Sequence, residues 1–142
     1  MRPSIDQLFV HIGHAKTGTT VVQRSFAKAR AALRTSGVLY PESANHIFIA
    51  TRFHHAPTEM QPHRIRQRSA EEVERVVGPP FERLSADLVA NRFEKALFST
   101  ENFTNLNRKS TKDLARWCRS RARETRVIVY VRHPVDFVGS WI

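Results

Sequence analysis

The chain has few cysteines, few acidic residues and no long apolar run, and each shortage narrows what it can be. Its single cysteine, Cys118, excludes an internal disulfide framework and fits a reducing compartment. Residues 1–7 lack the apolar core of a signal peptide and no stretch downstream could span a bilayer, so no membrane anchor and a cytoplasmic location are expected. There is no internal repeat and no low-complexity tract. Acidic residues number 13 against 23 Lys and Arg, a net charge of +10. Such a balance implies an anionic partner, which could be nucleic acid, a membrane surface or an anionic cofactor. The basic run Arg116, Arg119, Arg123 and Arg126 contains one aromatic, Trp117, which belongs with Cys118 to the apolar side of the helix, so no nucleic-acid partner is expected. His54, His55 and His63 come without cysteines or carboxylates at ligand spacing, so no metal site is expected either. With 142 residues the chain can form one domain with a real core.

What is present is organised around one stretch, Phe9-Val10-His11-Ile12-Gly13-His14-Ala15-Lys16-Thr17-Gly18-Thr19-Thr20. It reads as a short apolar strand, a glycine-bounded loop and the start of an amphipathic helix. A loop so placed can turn successive backbone N–H groups inward, and the helix adds its unpaired first-turn donors and positive dipole end. Anionic oxygens suit that place. The lysine lies inside the loop, and a threonine stands where a nucleoside-triphosphate loop of the form G-x-x-x-x-G-K-[ST] has its lysine.

Lys16-Thr17-Gly18-Thr19-Thr20, with Gln23 after it, resembles the 5'-phosphosulfate loop of sulfotransferases that use 3'-phosphoadenosine 5'-phosphosulfate (PAPS). A second stretch resembles the same family. Val127-Ile128-Val129-Tyr130-Val131 reads as a strand buried on both faces, and Arg132-His133-Pro134 follows, with Pro134 suited to start a helix. Ser140 then falls about 9 Å along that helix. In the family, a strand ending in Arg-x-Pro with a serine eight residues after the arginine holds the 3'-phosphate, which implies that role for Arg132 and Ser140. A guanidinium and a hydroxyl are apt donors for it. Gly37-Val38-Leu39-Tyr40-Pro41 with His46, and Ser99-Thr100-Glu101, are similar to segments of the family's bacterial branch.

The expected fold is α/β: a three-layer parallel sheet flanked by helices, the P-loop NTPase-like sulfotransferase fold, with strands near 8–12, 96–99 and 127–131. A helix is expected from about Thr19 to Ser36, packing through Val22, Phe26, Ala29 and Leu33 and stopping at Gly37. Residues 54–69, rich in Pro, His and Arg, read as a loop or lid. Ser69 and Glu72 form a capping box for a helix that Gly78-Pro79-Pro80 should break, with helical spacing resuming from Phe81 to Phe93. Ser110 or Thr111 should cap a helix running to about Thr125, with Cys118 in its buried face. The chain is short for a PAPS-dependent transferase and ends at Ile142 inside a helical pattern, so the resemblance implies the N-terminal portion of a larger domain.

The implied activity is transfer of a sulfuryl group from PAPS to a hydroxyl or amine of an acceptor such as a glycan. Lys16, Thr17, Gly18, Thr19 and Thr20 would hold the 5'-phosphosulfate, Lys16 would also act in catalysis, and Glu101 is the candidate general base, with His14 and His46 behind it. Two other readings stay open: a nucleotide kinase-like phosphotransferase, disfavoured because Gly-Lys-[ST] is missing, and a non-catalytic anion- or nucleic-acid-binding fragment.

Overall fold

In the computed structural model the described residues are 3–13 and 18–139. Four parallel strands form one sheet: β1 (Ile5–Ile12), β2 (Val38–Leu39), β3 (Lys95–Ser99) and β4 (Ala122–Val129), in the order β2-β3-β1-β4. Between them run α1 (Thr19–Lys28), α2 (Arg30–Thr35), α3 (Ile47–Phe53), α4 (Gln61–Ile65), α5 (Ala70–Val89) and α6 (Arg108–Arg121), and α7 (Pro134–Gly139) follows β4. The α/β class and the parallel sheet therefore hold as expected. No helix among the described residues is long and apolar enough to cross a membrane.

Alternation along β3 shows how the layers are divided. Phe98 meets Trp117 of α6, with ring centroids 5.9 Å apart, while the next residue, Ser99, bonds to Gln23 of α1. Successive strand residues point to opposite faces, so α6 and α1 cover opposite sides of the sheet. The main apolar core lies on the α6 side, where Leu8, Val10, Ala96 and Phe98 join Ile49, Leu84, Leu88, Leu114 and Cys118 in one cluster. Cys118 is buried as expected, and burial pushes its thiol up to about 12.

The chain leaves β1, passes β3 to form β2, returns to β3 and then crosses to β4 on the other side of β1. Direction reverses at β1, which makes its C-terminal end the topological switch point where ligands of open α/β sheets bind.

Several elements differ from expectation. The fourth strand is β2, whose two residues pair with Lys95 and Ala96. The first helix divides at Ala29, and its most buried members in α1 are the polar Thr19 and Gln23; Val22, Phe26 and Leu33 are half-buried and Ala29 is exposed. Gly37 does end α2, with φ at 76°. Residues 54–69 hold a 3-10 turn at Pro57–Glu59 and the short α4, each with a proline in its first turn. The capping box at Ser69 and Glu72 forms, but α5 runs unbroken through Pro79 and Pro80 and ends at Val89. Those prolines remove donors for the carbonyls of Arg75 and Val76, two exposed residues where water can replace them.

The last strand departs most. Asn107, rather than Ser110 or Thr111, caps α6 by accepting from the Ser110 N–H, and the helix stops at Arg121. Residues 122–125 are drawn into β4 by pairing with Ile5, Gln7 and Leu8. Among the described residues β4 pairs with β1 alone and forms an edge, and Val127 and Val129 are at least half exposed and Val131 is 90 % exposed, not buried on both faces. Pro134 opens α7 as anticipated.

Candidate functional site

Three strands bring polar residues to the C-terminal edge of the sheet. The register sets His11 beside Ser99 of β3 and beside Ile128 of β4, and Ile12 beside Val129. The segments leaving the three strands, which carry the Gly13–Gly18 loop, Glu101 and Arg132, therefore leave from one edge.

The end of β1 and the start of α1 lie against each other. A Cβ on Gly13 would lie 2.3 Å from Cγ2 and 2.4 Å from Oγ1 of Thr19, so only glycine lets the start of α1 approach the end of β1 this closely. Gly18 adopts φ 78°, a left-handed conformation, and serves as the N-cap of α1. Among the described residues no side chain caps that helix, and its first turn holds no acidic residue, which leaves its positive end suited to an anion. Thr19 is buried and Thr20 exposed. Lys16, Thr17 and His14 lie outside the described residues, as does Ser140. Arg132 is exposed, three residues beyond the end of β4.

At the C-terminal edge of the sheet lies a continuous hydrogen-bonded cluster. Gln23, 4 % exposed, donates from Nε2 to Ser99 Oγ at 3.2 Å and to Glu101 Oε2 at 3.3 Å. Asn45 donates from Nδ2 to Glu101 Oε1 at 3.2 Å and Oε2 at 3.1 Å, while its Oδ1 is buried with no partner among the described residues. Ser99 Oγ also lies 2.7 Å from His11 Nδ1. Glu101 sits in a 3-10 turn (Glu101–Asn105) that follows β3, and amide donors from two elements fix its carboxylate. Arg30 of α2 supports one of them, donating to the carbonyls of Tyr40, Pro41 and Ser43 and so holding the segment that presents Asn45.

His46, a reserve candidate for the base, has both ring nitrogens engaged. Nδ1 accepts from the Ser99 N–H at 3.0 Å and Nε2 donates to the Pro41 carbonyl at 3.2 Å. Burial depresses its pKa to about 4. The ring is a structural tie between β3 and the 41–46 segment. His63 is likewise packed into the fold, its Nδ1 accepting from Arg68 at 3.1 Å.

Gln23, one turn after Thr19 in α1, thus ties that helix to Glu101, and the cluster adds His11 and Asn45, which the sequence reading did not single out. The available signal was a polar residue at the end of an apolar strand: His11 in β1 and Ser99 in β3 occupy paired positions facing α1. No protein-family model, curated protein or solved structure matches the chain.

Proposed function

We propose that the chain is a PAPS-dependent sulfotransferase, cytoplasmic and independent of metal, acting on a hydroxyl or amine of an acceptor such as a glycan. One observation carries the reading: the buried Gln23 amide joins the helix after the Lys16–Thr20 loop to the Ser99-Thr100-Glu101 segment at the switch point of the sheet. Gln23, the glutamine that follows the loop in the family's pattern, is thus bonded to the other segment that resembles the family. The site also fits the group it would hold, since the Gly13 approach leaves no room for a side chain and the α1 end carries no competing acid.

When bound, PAPS supplies an activated sulfuryl group with 3'-phosphoadenosine 5'-phosphate as its leaving group. Backbone N–H groups from Thr17 to Thr20 cradle the 5'-phosphate, and Lys16 stabilises the charge that develops on it. Arg132 and Ser140 hold the 3'-phosphate, the group that separates this nucleotide from ATP. Glu101 takes the proton of the acceptor hydroxyl or amine as that atom attacks, and Asn45 and Gln23 fix the orientation of its carboxylate.

The test is conversion of PAPS to 3'-phosphoadenosine 5'-phosphate across a panel of sugar, phenol and amine acceptors without magnesium, in wild type and Glu101→Gln. The variant is expected to lose about 10²- to 10⁴-fold in turnover while binding nucleotide normally. Near-normal turnover in Glu101→Gln would remove the base assignment. Phosphoryl transfer from ATP with magnesium, and none from PAPS, would replace the reading with a kinase.

A further inference from the structure

Helix α6 carries a single acidic residue, Asp113, and its basic residues are gathered on one side. At about 100° per residue, Arg108, Lys112, Arg116 and Arg119 fall within about 80° of one another and form a row about 16 Å long. All four are exposed. Ser110, Leu114 and Cys118 bury the opposite side of the helix against the sheet, so the row faces directly outward. Asp113 is shared by Lys109 at 2.8 Å and Arg116 at 3.2 Å. Arg108, Lys112 and Arg119 form no ion pair among the described residues.

The form of this row selects its partner. One exposed cation gains little from one anion in water, so a small anion has nothing to hold it here. A chain of repeated anions sums several such contacts and releases its condensed counterions, which turns a weak row into a binding surface. Single-stranded nucleic acid also needs rings to stack on, and the one aromatic of α6 is turned inward. Trp117 packs on Phe53, Phe81 and Phe98, with ring centroids 5.7, 5.2 and 5.9 Å away. A helix lying on a membrane needs an apolar face free to enter the lipid, whereas the apolar side of α6 is spent on the core. A polymer of acidic sugars needs neither rings nor an apolar face; it needs spaced cations that also donate hydrogen bonds, which Arg and Lys supply.

We propose that the outer face of α6 docks a linear acidic glycan, one bearing carboxylate or sulfate groups, along Arg108, Lys112, Arg116 and Arg119. The helix begins two residues after the Glu101–Asn105 turn and ends where β4 begins at Ala122. In a parallel sheet those two points lie at opposite edges, so the row starts at the edge that carries Glu101 and runs back across the sheet. A glycan lying on it has one end beside the candidate base. That this glycan is the acceptor of the sulfuryl group rests on the function proposed above; the docking itself rests on the row alone.

The experiment is fluorescence anisotropy of a labelled heparin octasaccharide, a neutral dextran octasaccharide and a short duplex DNA with the full chain, across a range of salt. Two double variants are compared: Lys112→Gln with Arg119→Gln in the row, and Arg64→Gln with Arg66→Gln outside it. Each removes two exposed positive charges, and the row variant leaves both Asp113 bridges in place. Wild type is expected to bind the heparin octasaccharide in preference to both other probes. The row variant should bind it about 10-fold more weakly, with the slope of log affinity against log salt smaller by about 1–2, while the outside variant stays within about 2-fold of wild type. Equal losses in the two variants, or equal binding of the neutral dextran, overturn the inference. Preference for the duplex, lost in the row variant, overturns it in favour of a nucleic-acid face. Docking lost only in the row variant, in a chain that 3'-phosphoadenosine 5'-phosphate fails to stabilise, upholds the inference and overturns the PAPS reading. Nucleotide stabilisation with docking indifferent to the row does the reverse.

Discussion

The amide nitrogen of Gln23 lies 3.2 Å from Ser99 Oγ and 3.3 Å from Glu101 Oε2, so one side chain from α1 holds the end of β3 and the carboxylate that follows it. Gln23→Glu is nearly isosteric but replaces a double donor with a second carboxylate beside the first. Two carboxylates so close cannot both ionise cheaply, and the folded-state pKa of the pair must rise above the unfolded value. The folded variant then binds more protons than the unfolded chain, and its stability falls as pH rises through that window. Gln23→Glu should be about 1–3 kcal/mol less stable than wild type at pH 7 and recover much of that loss near pH 4.5. Denaturant midpoints at the two pH values measure it, and a deficit that is constant with pH would count against the bridging role.

Gly13 and Gly18 bound the same loop for different reasons. A methyl group at Gly13 strikes the Thr19 side chain, whereas at Gly18 it meets no atom of the described residues within 4 Å but must adopt φ 78°. Gly13→Ala should cost about 1–3 kcal/mol through overpacking and displace the start of α1. Gly18→Ala should cost about 1–2 kcal/mol through backbone strain alone, and Gly18→Asn less, because asparagine tolerates the left-handed region. Chemical denaturation of the three variants tests this, and equal costs for Ala and Asn at Gly18 would contradict the conformational account.

His46 makes stability depend on pH. Its pKa falls from the ordinary 6.5 to about 4 on folding, which at about 1.4 kcal/mol per pH unit corresponds to roughly 3 kcal/mol. The unfolded chain takes up the proton first, so this contribution is complete above pH 6.5 and is lost as pH falls toward 4. Burial lowers His11 and His63 in the same direction. His46→Asn should be less stable than wild type at pH 7.5, and the gap should narrow by about 2 kcal/mol at pH 5. Unfolding curves for both proteins at both pH values decide the matter; parallel pH profiles would contradict it.

The local signals in the sequence were read where the chemistry is local. The Ser69–Glu72 capping box, the stop at Gly37 and the start of α7 at Pro134 each depend on residues within one turn of each other. Where pairing with a distant strand competes with local preference, the reading failed. Residues 122–125 continue a helical pattern in sequence, yet the edge of β1 takes them into β4. The β-branched run from Val127 looked like a buried central strand, but hydrophobicity alone does not distinguish a buried strand from an apolar edge. That the segments carrying the loop and Glu101 leave from one edge of the sheet was legible, because parallel topology puts the C-terminal ends of β1 and β3 there. The cluster joining them was not, because His11, Ser99 and Asn45 meet only through register and through a segment that Arg30 holds from outside.

The measurement that reaches the central claim most directly is the thermal unfolding of the chain with 3'-phosphoadenosine 5'-phosphate, ADP or ATP, with and without magnesium, in wild type and Arg132→Ala. A ligand at ~100 times its dissociation constant adds about 2.7 kcal/mol, a shift a melting curve resolves. The account predicts stabilisation by 3'-phosphoadenosine 5'-phosphate beyond that by ADP, unchanged by magnesium and much reduced in Arg132→Ala. Stabilisation by ATP only with magnesium, or equal responses to nucleotides with and without the 3'-phosphate, would contradict it.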